Sequence, residues 1–214
     1  MELIVLFKYY MVSQMSDNLL YIWRDFIEGD QVAFKNLYDT CFDNLFLYGQ
    51  QFSHDPETIK DVIQNIFIRI WEKKQSLPEI NSPKAYLMKA FRNQMLNHIR
   101  SSKNNLLSST EIDHESYNFR LEVPIELNII EKERNDEIKE KLTAAIDLLT
   151  SKQKEFIYLK YIKDLEFSQI SSIMSITTKS VYKLHHRTLD NLKKHLGNMD
   201  TLMLIVYLNW FLKH

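Results

Sequence analysis

The stretch Asp61-Val-Ile-Gln-Asn-Ile-Phe-Ile-Arg-Ile-Trp-Glu72 repeats its apolar side chains with a helical period. Val62, Ile63, Ile66, Phe67, Ile70 and Trp71 fall on one face at i, i+1, i+4, i+5 spacing, the pattern of an amphipathic helix. Just ahead, Asp55-Pro56-Glu57 reads as a start signal, with a proline near the first helical position and an acid in the first turn. The opposite face carries Asp61, Gln64, Asn65, Ile68, Arg69 and Glu72. Folding alone gives Ile68 no purpose there, and an apolar residue ringed by Asp, Gln and Asn reads as a docking patch. The plainer alternative is a single exposed isoleucine, which is common on protein surfaces.

Working outward, 214 residues suffice for one or two compact domains, each with its own core. Only 3 Gly and 4 Pro argue against a turn-rich β fold, so the expected class is all-α. The net charge of -1 is unevenly spread: acids dominate Glu111 to Glu140, while bases gather at Lys84–Lys103 and Lys179–His195. Local basic stripes on a near-neutral chain fit a nucleic-acid binder that grips at chosen surfaces, although solvated helix faces give the same pattern. The single cysteine, Cys41, excludes an intrachain disulfide and a cysteine-based metal cluster, and favours a reducing compartment. MELIVLFKYYMV at the start lacks the basic region and cleavage site of a signal peptide. No stretch reaches the roughly 18 to 20 apolar residues that span a bilayer. The expected location is the cytoplasm, with no membrane insertion.

The composition divides the chain into five parts: an apolar N-terminal extension (1–15), a helical domain (16–100), a polar linker (101–128), a second helical domain (129–196) and an apolar tail (197–214). The linker is long for a connection inside one domain, which argues for two. Within the first domain a helix is expected after Ser82-Pro83, with Leu87, Met88, Ala90, Phe91, Met95 and His98 toward the core. Lys89, Asn93, Leu96 and Arg100 then lie opposite, where amide and cationic groups suit base edges and phosphates.

In the second domain, residues 167–174 read as a short helix, Ser175-Ile176 as a turn, and Thr177 as the cap of a long helix to about Leu196. That is a helix-turn-helix. Val181, Leu184, Thr188, Leu189, Leu192 and Leu196 are expected inward, and Lys179, Lys183, His186, Arg187 and Lys194 outward, with Ser180 at the edge. Cationic and small polar groups near the helix start suit entry into a major groove.

Taken together these stretches resemble the extracytoplasmic-function group of bacterial RNA polymerase sigma factors, over roughly Phe34 to Leu196. Residues 61–72 are similar to that family's core-polymerase-binding helix. Tyr86 to Arg100 is similar to its promoter -10 helix. Leu149 to Phe156 with the helix-turn-helix resembles its -35-reading domain. Asn65 stands where the family usually has Glu, Phe91 where it has Ala, Asn97 where it has Asp, and Ser175 where it has Gly. The resemblance implies core-polymerase binding by Asp61, Gln64, Asn65 and Ile68 on the beta-prime clamp helices. It implies -10 DNA contacts from Tyr86, Lys89, Asn93 and Arg100, with the loop Gln75–Ser82 capturing an extruded base. The -35 contacts would come from Thr178, Lys179, Ser180, Lys183, His186 and Arg187, with the same domain on the polymerase beta flap. An anti-sigma factor is a further implied partner, and the linker would thread along the polymerase.

A helix-turn-helix regulator acting without polymerase shares the C-terminal half but has no reason to carry the block Asp61–Arg100. A helical scaffold with solvated basic faces is a more distant reading. An enzyme is not expected: there is no Gly-rich phosphate loop, no carboxylate pair beside a nucleophile, and no His cluster at metal spacing. No catalytic residue, metal or cofactor is therefore assigned. Both apolar ends stay outside the resemblance, and the tail is expected to fold back as an extra helix.

Overall fold

The computed structural model describes residues 18–104, 117–121, 132–196 and 208, and the described residues are helical or irregular, with no strand. The chain divides into two compact units, residues 1–103 and 104–214.

The first unit opens with α1 (residues 18–28). Gly29, at φ 102°, turns the chain into α2 (Gln31–Gln50), whose start is capped by the Asp30 carboxylate accepting from the Val32 N–H at 2.7 Å. α2 buries Ala33, Leu37, Cys41, Leu45 and Tyr48, one stripe at helical spacing. After a short turn α3 (Pro56–Glu72) runs back along α2. Asp55 caps it, accepting from the Glu57 N–H at 3.1 Å and the Thr58 hydroxyl at 2.6 Å, and these bonds hold its carboxyl below the usual range. The start signal read at Asp55-Pro56 is therefore where the helix begins.

α3 buries Ile59, Val62, Ile63, Ile66, Phe67 and Ile70. Trp71 is half-buried between Phe34, at 4.8 Å centroid to centroid, and the Lys74 ammonium, 4.1 Å above its ring. A short 3-10 turn (Lys74–Ser76) leads to α4 (Pro83–Asn104), where the Ser82 hydroxyl accepts from the Ala85 N–H at 3.2 Å. α4 runs four residues past the expected start of the linker at 101.

The core-facing arc of α4 differs from the one expected. Leu87, Met88, Phe91, Arg92, Met95 and Leu96 are buried, whereas His98 is exposed and Ala90 only half-buried. The line 88–92–96 was hidden in the sequence by the charge of Arg92. An arginine can lay its aliphatic stem along apolar surface and keep its guanidinium bonded, so it can sit in an otherwise apolar arc. Leu96 thus belongs to the core and His98 to the surface.

The second unit contains residues 117–121, α5 (Lys132–Asp147), α6 (Ser151–Ile157) with a π-helical continuation (Tyr158–Ile162), α7 (Phe167–Met174) and α8 (Thr178–Leu196). Thr150 starts α6 with a reciprocal cap: its hydroxyl accepts from the Gln153 N–H, and the Gln153 side chain accepts from the Thr150 N–H. Leu142, Ile146, Phe156, Leu159, Ile170, Ile173, Val181 and Leu192 are fully buried and form the core. Residues 117–121 lie in the span read as linker, yet Tyr117, Phe119 and Leu121 are buried, the first two against α6 and its π-helical continuation.

The turn between α7 and α8 is held by Ser175 at φ 54°, ψ 43°, the left-handed conformation that usually calls for glycine. The Ile176 N–H donates to the Ser171 carbonyl at 3.1 Å, and the Ser171 hydroxyl donates to the Ile176 carbonyl at 2.6 Å. These bonds offset the strain of the serine. Val181, Thr188, Leu189 and Leu192 of α8 point inward as expected, whereas Leu184 and Leu196 are half-buried. The N-terminal extension and the tail lie outside the described residues, apart from Leu208, which is helical and fully buried.

Two predictions rest on this packing. A β-carbon at Gly49 would come within 2.5 Å of Ile59 Cγ2 and 2.8 Å of the Phe91 ring, so Gly49 sets how closely α2 approaches its neighbours. Gly49→Ala is expected to destabilise the protein by about 1–3 kcal/mol, the usual cost of overpacking, read as a lower Tm; an unchanged Tm would show that the helices have room to separate.

His185, half-buried on α8, bonds the Tyr161 hydroxyl at 3.1 Å and packs against Phe156 and Phe167. Burial, then the neighbouring His186 and Lys160, hold its pKa below the ordinary value. The unfolded chain takes up that proton near ~6.5, more readily than the folded one. Stability from neutral His185 is thus complete above that pH and declines as pH falls below it, until the folded group also protonates. His185→Phe should lose less Tm than the wild type between pH 7.5 and 5. Parallel pH curves for the two proteins would refute the assignment.

Candidate nucleic-acid and protein interfaces

Burying one face of α3 fixes what the other presents. Asp61, Gln64 and Asn65 are exposed, and Ile68 among them is 54% exposed, a large apolar side chain without a packing role. The four residues read as a docking patch therefore share one solvent-facing side. Carboxylate and amide groups around an apolar centre suit a protein partner, since the centre gains from burial and the rim supplies hydrogen bonds.

On α4 the expected -10 residues are less uniform. Asn93 is exposed, while Lys89 and Arg100 are half-buried. Tyr86 is also half-buried and sits edge-on to Trp23 of α1 at 5.5 Å, and burial pushes its phenol above the ordinary value. Its ring is thus fixed by packing on one side. The loop ahead of α4 is irregular from Leu77 to Ser82, with Pro78, Glu79 and Asn81 exposed. Leu96 does not belong to this surface, because it is buried.

The outer face of α8 is cationic. Thr178, Lys179, Ser180, Lys183, His186 and Arg187 are all exposed, as is Asp190. Thr177 caps the helix, its hydroxyl oxygen accepting from the Ser180 N–H at 3.1 Å and bonding the Ser180 hydroxyl at 2.8 Å. The Ser180 hydroxyl is therefore oriented by the cap. Thr178 turns its hydroxyl toward Ser171 of α7, at 3.5 Å. α7 and α8 pack directly on each other, and α5 and α6 also pack against α8, so the cationic stripe is carried on a supported helix.

One residue of this stripe was missed in the sequence. Tyr182 is 51% exposed between Lys179 and Lys183, its ring held edge-to-face by Phe167 at 4.6 Å. Its position three residues after Lys179 and four before His186 places it on the same arc. That spacing is the signal for it in the sequence, although an aromatic side chain beside Val181 reads equally as core. A fixed aromatic ring on this face can make apolar contact with a thymine methyl.

Among the described residues no group of His, Cys, Asp or Glu is placed to hold a metal ion, and no helix is long and apolar enough to cross a membrane. Cys41 is buried, which pushes its thiol up to about 12 and removes it from nucleophilic chemistry near neutral pH.

Comparison with known proteins bears directly on these surfaces. The family model for Sigma-70 region 2 matches residues 37–105, and that for Sigma-70, region 4 matches residues 139–192. The ECF RNA polymerase sigma factor SigX of Bacillus subtilis (strain 168) is 22% identical over 167 residues, covering 77% of this chain and 84% of its own. Among solved structures, CnrH in complex with the cytosolic domain of CnrY superposes with a TM-score of 0.53 at 15% identity, over 81% of this chain and 94% of that one. The RsbN–BldN complex matches with a TM-score of 0.33 at 16% identity, over 80% and 97% of the two chains. The region 2 match takes in α3 and α4, and the region 4 match takes in α7 and α8 as far as Leu192, in the order the two surfaces occur along the chain. With both regions matched, over more than half of its length, the chain belongs to the sigma-70 family of RNA polymerase sigma factors.

Proposed function

We propose that the protein binds core RNA polymerase and directs promoter-specific initiation, recognising a -10 element through its first unit and a -35 element through its second. The observation that carries this reading is the pairing, on one chain, of an isoleucine-centred docking face on α3 with a cationic recognition helix, α8. A regulator acting on duplex DNA alone needs the second and has no use for the first.

In this reading Asp61, Gln64, Asn65 and Ile68 seat on the beta-prime clamp helices. Asn93 supplies donor and acceptor groups to a base of the -10 element, Lys89 and Arg100 neutralise phosphate, and Tyr86 offers the open side of its ring. The loop ahead of α4 receives a base extruded from the melted strand, which makes unstacking part of the specificity. Lys179, Lys183, His186 and Arg187 hold the -35 duplex, with Thr178 and Ser180 at the groove end of α8. The polymerase beta flap completes the contacts of the second unit. The residues 16–100 and 129–196 form the two functional domains. The protein acts by binding rather than catalysis and works in the cytoplasm, where polymerase and chromosome meet.

A regulatory partner of the anti-sigma kind is also proposed. CnrH, whose fold this chain shares, was solved with the cytosolic domain of CnrY bound. A comparable partner covering Ile68 would compete with polymerase for the same face.

Run-off transcription with purified core polymerase tests the whole reading: specific transcripts are expected, and failure to bind core or to start them would reject it. Asp61→Lys should weaken core binding by at least about tenfold through charge reversal at the docking face, with binding of the full chain to a -35 duplex unchanged. Replacing Lys183 and Arg187 together by Ala should weaken -35 binding and lower the slope of log K against log salt by about 2, since each phosphate contact contributes about 0.9. An unchanged slope would place the DNA on another face.

A further inference from the structure

Residues 117–121 have the sequence Tyr-Asn-Phe-Arg-Leu, an irregular backbone and an alternating burial: Tyr117, Phe119 and Leu121 are buried, Asn118 is exposed and Arg120 half-buried. Such alternation is what an extended segment shows when one side lies on a surface. Its anchors lie along α6 and its π-helical continuation. The Tyr117 hydroxyl donates to the carboxylate of Glu155, itself fully buried. The Phe119 N–H donates to the Ser151 hydroxyl at 3.2 Å, and the Phe119 ring meets Tyr158 edge-on at 5.7 Å. Ser151, Glu155 and Tyr158 follow one another at i, i+4, i+7, so one helix face receives the segment.

We propose that this docked strap sets the spacing of the two promoter elements the protein can engage at once, with Tyr117, Phe119 and Leu121 as spacing-determining residues. The inference rests on the sigma-factor reading above and concerns how its two DNA-binding units are tied.

The physical argument is one of reach. α4 ends at Asn104, and whatever path the intervening chain takes, Tyr117 lies at most about 45 Å along it. With the strap released, the next described element of the second unit is α5, beginning at Lys132, and the upper limit to it becomes about 100 Å. B-DNA rises about 3.4 Å per base pair, so docking removes reach equal to roughly fifteen base pairs. A shorter tether raises the effective concentration of the second unit at nearby sites and forbids distant ones. The anchors are specific: a buried carboxylate receives the phenol, a serine receives a backbone N–H, and an aromatic ring receives Phe119. Five anchored residues thereby set the upper limit on the chain length between α4 and the second unit.

The test is transcription by the full-length protein with core polymerase on a promoter set that differs only in spacer length. The variants are Phe119→Asp, which undocks the strap, Tyr117→Phe, which keeps the ring and removes the bond to Glu155, and an insertion of about ten Gly and Ser residues between residues 110 and 111. The insertion lengthens the tether and leaves the strap intact. The wild type is expected to use a narrow range of spacers. Phe119→Asp and the insertion should each widen it by several base pairs, with transcription from the best-spaced promoter within about threefold of wild type. Tyr117→Phe should widen it less, and keeps the strap testable should Phe119→Asp fail to fold. Normal transcription with an unchanged spacer profile in the variants overturns the proposal. So does widening by the insertion while folded Phe119→Asp keeps the wild-type profile, because the tether would then matter and the strap would not. Absence of any transcript from the wild type rejects the sigma-factor reading itself.

Discussion

Every surface assigned here depends on the burial of one apolar stripe per helix. α3 commits Ile59, Val62, Ile63, Ile66, Phe67 and Ile70 to the core, and this leaves it no choice about which residues meet solvent. Side chains of that size are each worth about 1.5–3 kcal/mol when fully buried, far more than any single polar contact on the opposite face. Rotating α3 to bury Ile68 would expose several of them. The docking face is therefore fixed by the core behind it, and the same logic fixes α8, where Val181, Thr188, Leu189 and Leu192 hold the cationic side outward. Gly49 is the local condition for the first unit, because α2 comes against Ile59 and Phe91 where it has no side chain.

What could be read from the sequence follows from how local each signal is. The α3 and α8 stripes repeat over several turns, and their caps at Asp55 and Thr177 lie within three residues of the groups they bind, so both were legible. α4 was read about one residue out of phase. Its inward arc includes Arg92, and a charged residue in a core line breaks the apparent period without breaking the packing. Tyr182 lies on the same arc of α8 as Lys179 and His186, but an aromatic residue carries no polar or cationic signal that would mark it as part of that face.

The strap illustrates the opposite limit. Three apolar residues at alternate positions within a polar stretch carry no strong local signature, and their partners are more than thirty residues away at Ser151 and Glu155. Nothing short of the folded second unit reveals that Tyr117 and Phe119 have somewhere to go. The π-helical turn Tyr158–Ile162 joins the two sides of this unit: Tyr158 meets the strap at Phe119, and Tyr161, its phenol pushed up to about 12 by burial, reaches His185 on α8. Single π turns change the register of the residues around them, and frequently occur where function depends on that register.

The buried state of Cys41 bears on how such a protein can receive signals. Oxidants and electrophiles react with the thiolate, and reaction depends on exposure as much as on charge. The chain has one cysteine, and its thiol is enclosed against the first unit's core and held protonated. A thiol-based response to oxidants would therefore have to place its reactive cysteine in a second molecule, and this chain would register that signal through its contact with that partner.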